Sequence, residues 1–129
     1  MPSRSSPESR GRRAGFPRAA RIVAQSHFDR VYQQGRKFVA PGVVAWALSS
    51  PSGRSRIGLS VSRKVGGAIV RNRVKRVLRE AFRQLATQPD PPVDLVLVAR
   101  PGRAPQTLAD ARVALDQVLS RWNSPPGGH

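Results

Sequence analysis

No cysteine occurs in this chain, so disulfide frameworks, thiolate metal sites and cysteine nucleophiles are excluded, and nothing points to secretion. The cytoplasm is the default expectation. Acids are nearly as scarce, with 7 Asp plus Glu against 23 Lys plus Arg. These acids, Glu8, Asp29, Glu80, Asp90, Asp94, Asp110 and Asp116, are scattered along the sequence, whereas a protein-only metal nuclease needs carboxylates converging on its ions. No protein catalytic residue and no protein metal site are therefore expected. The only histidines, His27 and His129, sit on a short predicted helix and at the chain end, so no general acid/base pair is legible. No apolar run approaches the roughly 18 residues of a membrane span, and the basic N-terminus lacks the apolar segment of a secretory signal.

What is present is positive charge, +16 in 129 residues, on a chain with room for one domain. Such a domain repels itself unless a polyanion neutralises it, which makes a nucleic acid the first candidate partner. Residues 1–20 carry Arg4, Arg10, Arg12, Arg13 and Arg18 among Ser, Gly and Pro, and read as a disordered cationic arm. Residues 123–129, with Pro125, Pro126, Gly127 and Gly128, read as an unstructured tail, which leaves a folded domain over 21–122.

Within that domain, a short helix is predicted over 26–34, with Ser26 as its cap, Phe28, Val31 and Tyr32 on one side and Gly35 as its stop. Residues 37–49, interrupted by Pro41-Gly42, suggest a strand pair or one bent strand with Trp46 in its middle. Strict alternation then puts Ile57, Leu59 and Val61 on one face of a strand and Arg56, Gly58, Ser60 and Ser62 on the other. The longest helix is predicted over 67–86. Its apolar arc holds Val70, Val74, Val77, Leu78, Ala81, Phe82 and Leu85, and its other side is nearly all cationic. Residues 93–99, apolar except for Asp94, read as a strand buried on both faces, and 107–122 as a last helix capped by Thr107. The order αβββαβα describes an α+β sandwich of helices on a small sheet.

Between Arg54 and Arg83 ten basic residues accompany one acid, Glu80. A merely solvated helix face mixes signs for i, i+4 pairing, and this one does not. A membrane-surface helix is disfavoured because the apolar stripe has the width that packs on a sheet. Insertion of the helix into a DNA major groove remains open on charge alone. Phe28, Tyr32 and Trp46 are candidate stacking platforms for a single strand, with ordinary core aromatics as the alternative.

Residues 56–82 read RIGLSVSRKVGGAIVRNRVKRVLREAF, which resembles the signature of the bacterial ribonuclease P protein subunit: the strand, the Gly66 turn, the Arg71-Asn72-Arg73 triplet, then Lys75-Arg76 and Arg79-Glu80. Weaker likeness extends over 21–122. The resemblance implies a ribosomal protein S5 domain 2-like sandwich with a four-stranded sheet and a left-handed βαβ crossover, against the usual right-handed rule. It further implies a ribonucleoprotein endonuclease whose partners are the ribonuclease P RNA and precursor tRNA, with no membrane and no obligate protein partner. Magnesium, bound mainly by the RNA, supports hydrolytic removal of the 5′ leader. By that likeness Arg71, Asn72, Arg73, Lys75, Arg76 and Arg79 face the catalytic RNA and Phe28, Tyr32, Trp46, Ser60 and Arg63 line the leader cleft. Arg56, Lys64 and Arg100 are weaker RNA contacts. The chain departs from the family at Gly67, where many members carry a longer, often basic side chain. Tyr32 stands where Phe is frequent, and Trp46 where a smaller aromatic is frequent. A structural RNA-binding protein without a part in cleavage, such as a small ribosomal component, would suit the same composition; the long signature separates the two.

Overall fold

The computed structural model describes residues 21–22, 24–85 and 89–123; the predicted arm, the tail from residue 124 and Ala86 lie outside the described residues. The elements run α1 (Gln25–Gln34), β1 (Arg36–Ala40), β2 (Val43–Ser49), β3 (Arg56–Ser60), α2 (Ala68–Arg83), β4 (Val93–Ala99) and α3 (Leu108–Asn123). This is the expected αβββαβα order on a four-stranded sheet, arranged β1-β2-β4-β3. The strand pair is a hairpin: Pro41-Gly42 turns the chain, and Gly42 holds φ +80°, which a side chain resists. β4 lies inside the sheet, antiparallel to β2 and parallel to β3, so both its edges are paired, and all its residues but the half-buried Val98 are buried, as its apolar run demands. α2 makes the crossover from β3 to β4 that parallel neighbours require.

The strand alternation divides the interior into two layers. Val43, Ala45, Ala47, Ile57, Val93, Leu95 and Leu97 face α2 and α3, where Val74, Leu78, Leu115 and Val118 meet them in the main core. Each fully buried Leu or Val there is worth about 1.5–3 kcal/mol against exposure. Among the described residues the opposite sheet face is covered by α1 and Ile22, through Ile22, Val31 and Val96 with Phe28, Tyr32 and Trp46 half-buried around them. Among the described residues this cover is incomplete: Val44 and Val98 are half-buried and Val39 is exposed.

Capping differs from expectation at one end. Ser26 does not cap α1; the N-cap is Ala24, whose carbonyl accepts the amides of His27 and Phe28 while no side chain caps the helix. Gly35 does stop α1, but through close approach, since a Cβ there would stand 2.5 Å from the Val31 carbonyl oxygen. Thr107 caps α3 as predicted, its Oγ1 accepting the Asp110 amide at 3.1 Å. Asn123, expected to begin the tail, instead ends α3 and accepts the Asp90 amide on its Oδ1 at 3.1 Å. α2 closes at Arg83 with Gln84 as its C-cap, short of the predicted residue 86.

Candidate nucleic-acid interface

α2 turns Val74, Val77, Leu78, Ala81 and Phe82 inward and leaves its other side to cations. Asn72, Arg73 and Arg76 are exposed, and Lys75 and Arg79 are half-buried beside them. Arg73 Nη1 donates to Gln106 Oε1 at 3.2 Å. Arg71 is half-buried, and its Nε donates to the Gly66 carbonyl at 3.2 Å, so it locks the turn that launches the helix. Glu80, the one acid here, is taken by Arg83 and by Gln84, and the paired guanidinium holds the Glu80 carboxyl below its ordinary range. Arg79 is also lowered, but there the shift disfavours the charged form: burial first, then the nearby charge of Arg21, lower its guanidinium pKa. Arg63 and Lys64 are exposed in the turn between β3 and α2.

On the open sheet face, Phe28, Tyr32 and Trp46 come together. Phe28 and Tyr32 are tilted with centroids 6.4 Å apart, and Tyr32 meets Trp46 edge-on at 5.1 Å. Phe28 rests where Gly58 leaves room; a Cβ on Gly58 would lie 2.8 Å from the Phe28 Cζ. Tyr32 is hydrogen-bonded to Ser60, and burial raises its phenol pKa from the ordinary 10.0. The three rings are thus neither plain core nor free platforms: each buries one side and shows another.

Beside them lies a feature that sequence reasoning missed. Asp94 is fully buried on β4, and Arg56 holds it with Nε to Oδ1 at 2.8 Å and Nη2 to Oδ2 at 2.6 Å, while Arg30 of α1 reaches the same carboxylate. A lone acid in an apolar strand was the signal available, because a buried carboxylate requires cationic partners. Arg56, expected as a weaker RNA contact, is thereby committed to Asp94, whose hydrogen bond raises its pKa. The other two weaker candidates separate: Lys64 stays near α2, whereas Arg100 lies at the hairpin end, its amide donating to the Gly42 carbonyl at 2.9 Å. There it lines a cleft of about 350 Å³ with Arg103, Pro105 and Asp110. Lys37 was not expected at all: its Nζ sits 5.7 Å from the Trp46 ring centroid, a pairing fixed by hairpin register. Among the described residues no three His, Cys, Asp or Glu side chains stand together to hold a metal ion, and no helix is long and apolar enough to cross a membrane.

A small α+β sandwich with a cationic helix on one layer and an aromatic, half-open sheet face on the other belongs to the class of basic proteins shaped to meet a polyanion. Comparison with known proteins makes this specific. The family model for ribonuclease P matches residues 16–123. The ribonuclease P protein component of Clostridioides difficile is 36% identical over 107 residues, covering 82% of this chain and 94% of that protein. The component of Gluconacetobacter diazotrophicus is 45% identical over 94 residues, covering 71% and 81%. Among solved structures, the Staphylococcus aureus RNase P protein superposes with TM-score 0.71 at 28% identity, covering 81% of this chain and 95% of that one. The Thermotoga maritima protein gives TM-score 0.69 at 26% identity, with 78% and 96% covered. The chain belongs to the ribonuclease P protein component family, the protein part of a ribonucleoprotein endoribonuclease.

Proposed function

We propose that this protein binds the catalytic RNA of ribonuclease P through the outer side of α2 and holds the 5′ leader of precursor tRNA on the aromatic sheet face beside α1. The cut that frees the leader is then made by the RNA with magnesium, which the RNA holds. The protein supplies charge neutralisation and substrate placement, two effects that lower a barrier without a protein nucleophile. In the RNA-facing set, Asn72, Arg73, Lys75, Arg76 and Arg79 make contact, and Arg71 shapes the turn before them. In the leader set, Phe28, Tyr32 and Trp46 offer ring faces and edges for bases, Ser60 a hydroxyl, and Arg63 a phosphate partner.

The single observation that carries this reading is the one-signed outer side of α2, where Asn72, Arg73 and Arg76 are exposed and the only acid, Glu80, is already occupied by Arg83. A face of this kind is destabilising alone and favourable against phosphates.

Reconstitution tests it. The purified protein with ribonuclease P RNA should lower the magnesium needed for precursor cleavage, and the protein alone should not cleave. Arg73→Glu with Arg76→Glu should weaken RNA binding and flatten its salt dependence, by roughly 0.7–0.9 in the log–log slope for each phosphate that is no longer neutralised. Phe28→Ala with Tyr32→Ala should reduce affinity for precursor more than for mature tRNA. An unchanged salt slope removes α2 as the RNA face, and equal losses for precursor and mature tRNA remove the rings from the leader site.

A further inference from the structure

At the turn end of the β1–β2 hairpin, three stretches far apart in sequence close around one cleft of about 350 Å³, the lower end of the size range of small-ligand sites. The turn supplies Pro41 and Gly42, the loop after β4 supplies Arg100, Arg103 and Pro105, and the first turns of α3 supply Asp110 and Val113. None of these residues lies on α1, on α2 or on a strand. The backbone of the cleft is pinned. The Arg100 amide donates to the Gly42 carbonyl at 2.9 Å, and the Arg103 amide donates to the Arg100 carbonyl at 3.1 Å. Gly42 is pressed so closely on this loop that a Cβ would stand 2.4 Å from the Arg103 carbonyl oxygen. Two guanidinium groups thus start from a fixed frame, which lowers the ordering cost of holding an anion. Opposite charge shares the cleft and is not used: among the described residues Arg100, Arg103 and Asp110 take part in no ion pair, with each other or elsewhere. Val113, in the wall, is one of only three large apolar side chains exposed among the described residues.

We propose that this cleft is a binding site for a ribonucleotide with a free 2′,3′-diol, separate from the α2 surface and from the aromatic sheet face. Arg100 and Arg103 hold its phosphate, the Asp110 carboxylate accepts its ribose hydroxyls, and its sugar and base rest on Pro41, Pro105 and Val113. Each part of the cleft narrows the choice of ligand. Guanidinium forks match phosphate oxygens two at a time. A carboxylate beside them repels a bare phosphate, whereas it favours a ligand that brings hydroxyl donors, as the acid of a dinucleotide site does for its ribose. The apolar wall would be wasted on an inorganic anion and suits the face of a sugar or base. A cleft of about 350 Å³ has room for a single nucleotide and not for a strand. This chemistry is common to a free nucleotide and to the 3′-terminal nucleotide of an RNA.

Calorimetric titration of the full-length protein with 5′-AMP, 2′,3′-dideoxy-AMP and inorganic phosphate tests the site, with thermal melts showing that each exposed substitution leaves the fold intact. Arg103→Gln should weaken AMP about tenfold, the loss of one charge-assisted hydrogen bond. Arg112→Gln removes the same charge from an exposed position of α3 outside the cleft and should leave AMP binding unchanged. Asp110→Asn discriminates most sharply, because it should move ligands in opposite directions. Inorganic phosphate and dideoxy-AMP should tighten about twofold as a like charge is removed, while AMP should weaken about fivefold as its diol loses a charged acceptor. Equal losses in Arg103→Gln and Arg112→Gln would show diffuse attraction to a basic surface and overturn the proposal. Tightening of all three ligands by Asp110→Asn would overturn it as well, leaving that carboxylate as a helix-end charge. Competition against AMP with a hexanucleotide ending in a 3′-hydroxyl, and with the same oligomer ending in a 3′-phosphate, separates the two sources. Displacement by the hydroxyl form alone assigns the site to an RNA end, and displacement by neither assigns it to a free nucleotide. Equal displacement by both shows that the diol is not read and defeats the assignment.

Discussion

Replacing Asp94 by Asn should be among the most damaging isosteric changes in the domain, and its cost follows from the partners of this side chain. The carboxylate is fully buried and receives two hydrogen bonds from Arg56 and one from Arg30. Asn keeps the volume and one acceptor, but it turns an amide NH₂ toward a guanidinium and leaves two cations facing each other without an anion. Breaking a buried ion pair by removing one partner costs about 3–5 kcal/mol. Removing Arg30 is a smaller perturbation, because its side chain is 28% exposed and the Arg56–Asp94 bidentate pair survives. One charged hydrogen bond discounted for solvent gives about 1–2 kcal/mol for Arg30→Met. Arg56→Met should fall between the two, since that side chain is only 15% exposed and holds both carboxylate oxygens. Urea unfolding followed by tryptophan fluorescence measures all three, with Trp46 and Trp122 reporting from the two layers. With a urea m-value of about 1–3 kcal/mol per molar, the Asp94→Asn midpoint should drop by more than about 1 M at constant m. A loss below about 1 kcal/mol for Asp94→Asn, or an Arg30→Met loss equal to it, would refute the idea that this carboxylate clamps α1 to the sheet.

Other consequences are open to simpler measurements. Tyr32 is the only tyrosine, so tyrosinate absorbance reports it alone: the folded midpoint should lie above 10.0, return to the ordinary value in denaturant, and rise further in Ser60→Ala, because the Ser60 hydrogen bond lowers it. Since the folded value is the higher one, the associated stability is full below pH 10.0 and is lost as pH rises through the folded midpoint; coincident folded and unfolded titrations would contradict this. Gly58→Ala should cost about 1–3 kcal/mol by forcing Phe28 from its seat. Adding Phe28→Leu should recover part of that loss, whereas strictly additive losses would show that the two do not touch. Thr107→Ala should destabilise α3 by about 1 kcal/mol and Thr107→Ser much less; equal losses would assign the effect to the methyl group instead of the cap.

Much of this architecture was legible because periodicity records burial. The α2 stripe and the β3 alternation point to the faces the fold buries, and the apolar 93–99 run occupies the interior position such a run requires. What stayed hidden depends on register and on partners distant in sequence. Lys37 and Trp46 become neighbours only when Pro41-Gly42 folds the hairpin in a particular pairing. Arg56 looked like one more cation in a basic stretch because the acid that claims it lies 38 positions away. Ser26 has the chemistry of a cap, yet the helix begins one residue before it, and sequence patterns fix helix ends poorly.

The contiguity of the 56–82 signature has a structural reason in the two-layer arrangement. β3 is a sheet edge bridged by the chain at Arg21, whose neighbour Ile22 donates its amide to the Ile57 carbonyl at 2.9 Å. Along this strand Ile57 and Leu59 enter the core under α2, while Gly58 seats Phe28 and Ser60 meets Tyr32. A few residues on, after the turn closed by Gly66, the same segment becomes the cationic helix. The cationic and aromatic surfaces are therefore joined through β3, whose Gly58 and Ser60 touch the rings and which leads into α2. A strand that builds the floor of one surface and leads directly into the other leaves little freedom for insertion between them. Lengthening the 61–67 turn should therefore uncouple the two surfaces, leaving RNA affinity near wild type while the preference for precursor over mature tRNA falls. If RNA affinity and precursor preference instead fell together, the turn would be acting through fold stability and not through the spacing of the two surfaces.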